Sequence, residues 1–412
     1  MNNHQGLALN EYDYPLPDER IARFPEPNRS DSKLLVYNQG NISDSAFTQL
    51  PDLTPSDALL IFNNTRVVHS RFFFETELGH PIEIFCLEPA ENLDTSLAMQ
   101  QEGFAKWNCL IGGARKWRTG VLEKSLRVND TELKLTTIKG KNHGDYFEVD
   151  FSWLPAELSF AEVMQLMAEL PLPPYLNRKP EQMDEERYQT VYAQLRGSVA
   201  APTAGLHFTP EILSALNQKG VQTEYLTLHV GAGTFKPVKT DNPAQHEMHR
   251  EYFEISKHLI LKLIQYADNK IIPVGTTSMR SLESLYWLGV KCKQQGFSMG
   301  QLPLLGQWDA YGNQSNISFK ESFQSLINYM DENHQSVFKA QTQIMIMPGY
   351  PFRVCSGLIT NFHQPKSTLL MLVSAFVGAD WKIIYRHALQ NDYRFLSYGD
   401  SSLLLPKEIL IK

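Results

Sequence analysis

From Glu185 onward, apolar stretches with the period of a strand alternate with stretches carrying the period of a helix. PEILSALNQKG reads as a helix stopped by Gly220, VQTEYLTLHV as a strand, and KHLILKLIQYADN as a helix. KIIPVG then reads as a strand feeding the helix SMRSLESLYWLGV. Strands joined through helices pair in parallel, because each helix carries the chain back across one face of the sheet. The expectation is α/β with a mostly parallel sheet. Between Arg71 and about Phe151 the pattern changes to short alternating runs: PIEIFCLEP, FAKWNCLI, LRVNDTELKLTTI and GDYFEVDF, broken by Gly or Asn-Asp. That spacing implies a small antiparallel β-barrel inserted as a unit. Residues 71–151 are then the insertion, and residues 1–70 plus 152–412 form a discontinuous α/β domain.

Composition narrows the partners. The chain has 412 residues, 38 of them basic and 45 acidic, for a net charge of -7. An RNA ligand therefore requires a local positive patch, because phosphates are held by clustered Lys and Arg. Cys86, Cys109, Cys292 and Cys355 are widely spaced without a C-x-x-C pair, which argues against a zinc ribbon and for a reducing compartment. The start MNNHQGLALNEYDYPLP lacks the basic and apolar regions of a signal peptide. The apolar run Leu369–Val377 falls short of the roughly 18 residues of a membrane span. A cytoplasmic protein with no membrane association is expected.

Five segments crowd polar residues where a βα fold places a site. LITNFHQPKSTLLMLVSAF sets Thr360, Asn361, His363, Lys366, Ser367 and Thr368 directly before a buried element. Buried polar groups without partners cost about 1–3 kcal/mol each, so a packing module would replace them. Pro365 fixes the turn and Ser367 or Thr368 caps the following helix, presenting Asn361 and His363 where free N–H groups receive an anion. VGTTSMRSLES repeats that design, with Thr276, Thr277 and Ser278 at a helix start and Arg280 nearby; Arg280 pairing with Glu283 is the alternative. SVAAPTAGLHFT is rich in small residues and ends at His207. TLHVGAGTFKPV holds His229, but Lys236 stands where a dinucleotide fingerprint needs its third glycine. In HEMHREYFEIS, His246 and His249 have the wrong spacing for a zinc helix and suit acid–base work instead.

Taken in order, FNNTRVVHSR, LPLPPYLNR, SVAAPTAGLHFT, TLHVGAGTFKPV, HEMHREYFEIS, VGTTSMRSLES, MPGYPFR, LITNFHQPKSTLLMLVSAFVG and YRFLSYGDSSLLL resemble the signature blocks of the S-adenosylmethionine:tRNA ribosyltransferase-isomerase family. The resemblance runs from about Tyr14 to Leu405. It implies transfer and isomerisation of the ribosyl group of S-adenosylmethionine onto 7-aminomethyl-7-deazaguanine at the tRNA wobble position. Epoxyqueuosine-tRNA, adenine and methionine would be the products. It also implies an α/β domain interrupted by a barrel, no metal, and S-adenosylmethionine as ribosyl donor; a monomer is expected. His207, His229, His246 and His249 are then the available acids and bases. Thr276, Thr277, Ser278 and Arg280 suit the methionine carboxylate, Asn361 and His363 a nucleobase, and Asp400 an ammonium or ribose hydroxyl.

For the RNA, AKWNCLIGGARKWRTG offers Lys106, Arg115, Lys116 and Arg118 with Trp107 and Trp117 interleaved, which suits stacked bases of an anticodon loop. Where the family commonly reads Val-Val-Asp, this chain has Val354-Cys355-Ser356. It also carries Arg250 after HEMH and Arg196 in RGSVAAP. The alternative function is a non-catalytic RNA-binding paralogue of the same fold.

Overall fold

The computed structural model describes residues 8–93, 95–118, 120–128, 131–144, 146–231, 240, 242–298, 300–311 and 316–407. A six-stranded sheet runs in the order β14 (Ile271–Pro273), β3 (Leu59–Asn63), β12 (Gln222–His229), β13 (Glu251–Ser256), β16 (Val337–Thr342) and β15 (Leu304–Leu305). Its β14–β3–β12 half is parallel, and β12, β13 and β16 continue antiparallel. Strand β3, LLIFN, is buried along its whole length, as a central strand covered on both faces must be. A four-stranded sheet runs β17 (Leu358–Asn361), β18 (Ser401–Leu405), β1 (Lys33–Asn38) and β2 (Asn41–Ala46), with β18 and β1 parallel. The parallel part expected from the strand–helix alternation thus forms the centre, and antiparallel strands extend it.

The insertion is a six-stranded antiparallel sheet: β5 (Arg71–Glu75), β6 (Pro81–Pro89), β7 (Phe104–Gly112), β10 (Phe147–Leu154), β9 (Thr131–Asn142) and β8 (Val121–Val128). Its edge strands β5 and β8 approach each other, so it nearly closes as a barrel. Inward residues of every strand, with Trp107 and Phe151 among the largest, join Trp117 of the β7–β8 turn in an apolar core capped by Phe160. A parallel ribbon of β4 (Thr65–Val67) and β11 (Leu195–Ser198) stands beside it.

The helices are α1 (Leu50–Leu53), α2 (Thr95–Met99), α3 (Phe160–Met167), α4 (Gln182–Arg187), α5 (Pro210–Gln218), α6 (Lys257–Gln265), α7 (Thr276–Gln295), α8 (Phe319–Glu332), α9 (Thr368–Val377) and α10 (Trp381–Gln390). Several starts are set by local chemistry. Ser159 with Glu162 and Ser318 with Glu321 form reciprocal capping boxes. Ser367 caps α9 by accepting from the Leu370 N–H at 3.1 Å. Helix α7 is buried from Ser278 to Val290 and packs on α8 so closely that a Cβ at Gly289 would lie 2.4 Å from the Ser322 carbonyl oxygen.

The apolar run before the C-terminus is longer than its sequence suggests. Joined across Gly378, the 23 residues Thr368–Gln390 have the length and composition of a membrane span. Gly378, at φ +66°, breaks them into α9 and α10, and α9 sends Leu370, Met371, Leu372, Val373 and Phe376 into the main core.

A candidate active site at the junction of the two sheets

Val274 and Ile359 form a parallel bridge that joins the end of β14 to β17. The Gly275 N–H then bonds the Ile359 carbonyl at 2.8 Å. Two strand ends therefore release their loops side by side, the geometry at which open α/β sheets form clefts. A cleft of about 450 Å³ opens there. It is lined by Tyr175 of the Pro-rich loop, the Ala200–Ala204 segment, Val230, the Gly275–Thr277 turn and the Thr360–Leu369 turn, with Ser397 closing one side. Six of the blocks singled out in the sequence meet in this one place, whereas HEMHREYFEIS contributes no lining residue.

Gly275 is the N-cap of the 20-residue α7, adopts φ +93°, and supplies no side-chain cap. That helix start lines the cleft with Thr276 and Thr277, and because the first N–H groups of a helix lack intrahelical partners, the arrangement suits a carboxylate. Ser278 takes no part, because its hydroxyl bonds back to the Val274 carbonyl at 2.9 Å. Arg280 is also absent from the cleft. It lies one turn further, buried, with its guanidinium 2.5 Å from the equally buried Glu251 carboxylate and its Nε donating to the Ile344 carbonyl. The expected pairing with Glu283 fails too. The Glu283 carboxylate accepts the backbone N–H groups of Arg353, Val354 and Cys355 and the Tyr350 hydroxyl.

Asn361 and His363 both line the cleft. The Asn361 amide is fixed from two sides: its oxygen accepts the Thr203 hydroxyl at 3.0 Å and its nitrogen donates to His207 Nε2 at 3.1 Å. His207 Nδ1 in turn donates to Ser32 at 2.7 Å. With both nitrogens engaged and burial pushing its pKa down to about 3, His207 is a neutral positioning group behind the wall, not a free acid or base. His363 Nε2 lies 3.1 Å from the Thr360 hydroxyl, and among the described residues its Nδ1 has no protein partner. Burial pushes His363 down to about 3 as well. The backbone of His363 is held at both ends, by the Tyr385 hydroxyl on its N–H and the Tyr14 hydroxyl on its carbonyl.

Asp400 does not reach the cleft. Its two oxygens accept the Lys33 and Arg394 N–H groups at 2.8 and 2.7 Å, a staple between β1 and the chain before β18. Ser356 is equally remote: its hydroxyl accepts the Ile271 N–H at 2.9 Å at the edge of β14. His229 ends β12 beside Val230 and stacks on Tyr252 with ring centroids 5.7 Å apart. His249 Nε2 lies 3.7 Å from Glu251, next to the Arg280 pair, and the His246 carbonyl accepts the Gln307 amide. Of TLHVGAGTFKPV, residues 232–238 lie outside the described residues, among them Gly233, Thr234 and Lys236.

The RNA candidates separate into two kinds. Arg115, Lys116 and Arg118 are exposed on the β7–β8 turn, at the barrel end opposite the α/β body. Lys106 instead bridges Glu91 and Asp150 at 3.7 and 3.6 Å. Trp107 and Trp117 are about 1% exposed, so the expected base-stacking platform is barrel core: Trp107 takes an inward position of β7, and Trp117 folds in from the turn after it. Sequence reading missed Thr203, Tyr175 and Ser397. Tyr175 bonds the Ser397 hydroxyl inside the cleft, and only its place in a rigid Pro-rich loop hinted at a role.

A cleft at the carboxyl ends of strands, with an anion-ready helix start and fixed amide and imidazole groups, defines a small-molecule-binding α/β protein of enzyme type. A family model described as queuosine biosynthesis protein matches residues 9–404, and the chain belongs to that family. The S-adenosylmethionine:tRNA ribosyltransferase-isomerase of Halothermothrix orenii is 38% identical over 411 residues, covering 97% of this chain and 100% of that protein. The protein of the same name from Herminiimonas arsenicoxydans is 38% identical over 400 residues, covering 96% and 98%. A crystal structure of S-adenosylmethionine tRNA ribosyltransferase from Thermotoga maritima matches at 25% identity and a TM-score of 0.45, covering 96% of this chain and 100% of that one.

Proposed function

We infer that this chain transfers and isomerises the ribosyl group of S-adenosylmethionine onto 7-aminomethyl-7-deazaguanine in a tRNA anticodon, releasing adenine and methionine. The observation that carries the reading is the convergence of the Gly275–Thr277 helix start and the Asn361–His363 turn on one cleft of about 450 Å³, within the size range of small-molecule sites.

The residues divide the work by their chemistry. The helix start takes the methionine carboxylate through backbone N–H groups and the Thr276 and Thr277 hydroxyls, without Arg280. Asn361, locked by Thr203 and His207, offers a fixed amide edge to a nucleobase. His363 is neutral at pH 7, and a group titrating near 3 is too weak a base for efficient proton removal. It therefore orients the base through Nδ1. The sulfonium acidifies the ribose C5′ protons, and removal of one falls to the side of the cleft lined by Val230, next to which His229 ends β12. The glycosidic C1′–N bond then breaks, and adenine takes the bonding electrons, gains a proton from solvent, and is held by hydrogen bonds to the Asn361–His363 turn as the bond breaks. Residues 1–70 with 152–412 carry this chemistry in our division of the chain, and 71–151 extend the surface offered to RNA.

Incubation with S-adenosylmethionine and tRNA bearing the deazaguanine precursor should release adenine in proportion to modified tRNA. Folded protein that binds the tRNA and releases no adenine would instead favour the non-catalytic RNA-binding alternative.

A further inference from the structure

The ribbon of β4 and β11 places Arg66 directly opposite Arg196 in parallel register. Their side chains therefore leave the same face from backbones about 5 Å apart. Both residues are exposed, while Thr65, Val67 and Ser198 around them are buried. Like charges set opposite each other destabilise a strand pair, so the fold alone gives no reason for this juxtaposition. Among the described residues neither guanidinium has a hydrogen-bond or ion-pair partner. Glu162 caps the helix at Ser159, whose hydroxyl, with a smaller contribution from the Arg196 charge, holds its carboxyl below the usual range, but it makes no ion pair with Arg196; Glu185 is engaged by His69 at 2.7 Å.

The ribbon is also wired to the cleft. Ser198 donates to the Ala200 carbonyl at 2.7 Å and accepts the Val230 N–H at 3.2 Å, and Ala200 and Val230 both line the cleft. Arg196 precedes Ala200 by four residues, about 13 Å of extended chain. Between them Gly197, at φ +134°, forms a bulge that shifts the register after Arg196. Bulges of this kind re-aim side chains beside active sites. The Arg115–Lys116–Arg118 turn, by contrast, stands at the far end of the barrel.

We propose that Arg66 and Arg196 jointly grip a phosphodiester of the RNA backbone close to the nucleotide that enters the cleft. The planar forks of two adjacent guanidiniums match the oxygens of one phosphate, and binding it relieves their mutual repulsion. The proposal rests on the reading that the substrate is a tRNA.

Binding of a full-length tRNA transcript with guanosine at the first anticodon position tests it, measured by fluorescence anisotropy across a salt series. Arg66→Gln/Arg196→Gln should bind about tenfold more weakly, with the slope of log affinity against log salt reduced by about 0.7–0.9 per lost phosphate contact. Arg66→Lys/Arg196→Lys should recover most of the slope but less of the affinity. The KM for tRNA should rise with the Kd, and the KM for S-adenosylmethionine should not follow. Unchanged affinity and slope in a folded glutamine variant would overturn the proposal, as would a wild-type protein that does not bind the transcript. Wild-type protein that binds the transcript yet releases no adenine from precursor tRNA would overturn the reaction alone, and the arginine contact would still be decided by the binding series.

Discussion

Asn361 Nδ2 lies 3.1 Å from His207 Nε2, and this bond turns a buried imidazole into the support of a cleft-facing amide. A lone amide can flip its oxygen and nitrogen; here the Gly399 carbonyl, which can only accept, lies 3.5 Å from the nitrogen and favours one orientation, with the Thr203 hydroxyl on the oxygen side. His207→Ala should therefore lower adenine release at least tenfold by freeing Asn361. Stability should fall by about 1–3 kcal/mol, because Ser32 also loses its buried partner. Denaturant unfolding together with single-turnover adenine release checks both.

The low pKa of His207 has a thermodynamic signature. At pH above 6.5 the histidine is neutral in folded and unfolded chain alike and contributes no pH dependence. As pH falls from about 6.5 toward its folded value of about 3, the unfolded chain takes up a proton that the folded one refuses, and stability is lost. The slope is about 1.4 kcal/mol per pH unit for each such histidine, and His363 adds a second. Asp400 and Glu283, whose carboxyls burial pushes upward, titrate with the opposite sign, so the comparison must be between proteins. Unfolding free energies at pH 6.5 and 5 should differ less in His207→Asn than in wild type. Parallel pH curves would show that His207 protonates in the folded state.

Arg280 and Thr277 should part company on mutation. Arg280→Met leaves the Glu251 carboxylate buried without its guanidinium, a loss of about 3–5 kcal/mol in stability. Thr277→Val removes a cleft hydroxyl at the helix start, so the KM for S-adenosylmethionine should rise several-fold at nearly unchanged stability. A KM effect confined to folded Arg280→Met would return Arg280 to the binding site.

That contrast marks where the sequence stops being informative. The strand–helix alternation, the inserted barrel and the segments that meet at the cleft were readable because each is a local pattern of period, caps and turn residues. The direction taken by a side chain one turn into a helix is not local. Thr276 and Arg280 stand four residues apart on α7, yet one meets the cleft and the other meets Glu251, which enters from a strand 29 residues upstream. Asp400 and Ser356 failed for the same reason: a polar residue in a motif block answers equally well to a ligand or to an unpaired backbone N–H, and only the fold brings the Lys33, Arg394 and Ile271 amides to them. Trp107 shows the reverse error, where alternation along β7 is a better guide to burial than the aromatic–basic composition is to RNA contact; Trp117, in the turn that follows, folds back into the same core.

His363 offers the sharpest separation of function from stability. Its backbone is secured by Tyr385 and Tyr14, so removing the ring leaves the turn tied at both ends. The ring itself makes one hydrogen bond, to Thr360, and His363→Ala should cost about 1–2 kcal/mol of stability. Turnover should fall far more, about 100-fold, if Nδ1 orients a nucleobase through the reaction. Thr360→Val sharpens the test, because it removes the hydrogen bond that orients the ring while leaving the imidazole in place. That variant should lower adenine release while leaving the KM for tRNA near its wild-type value. A turnover loss no larger than the loss of stability explains would reduce His363 to a packing residue of the turn.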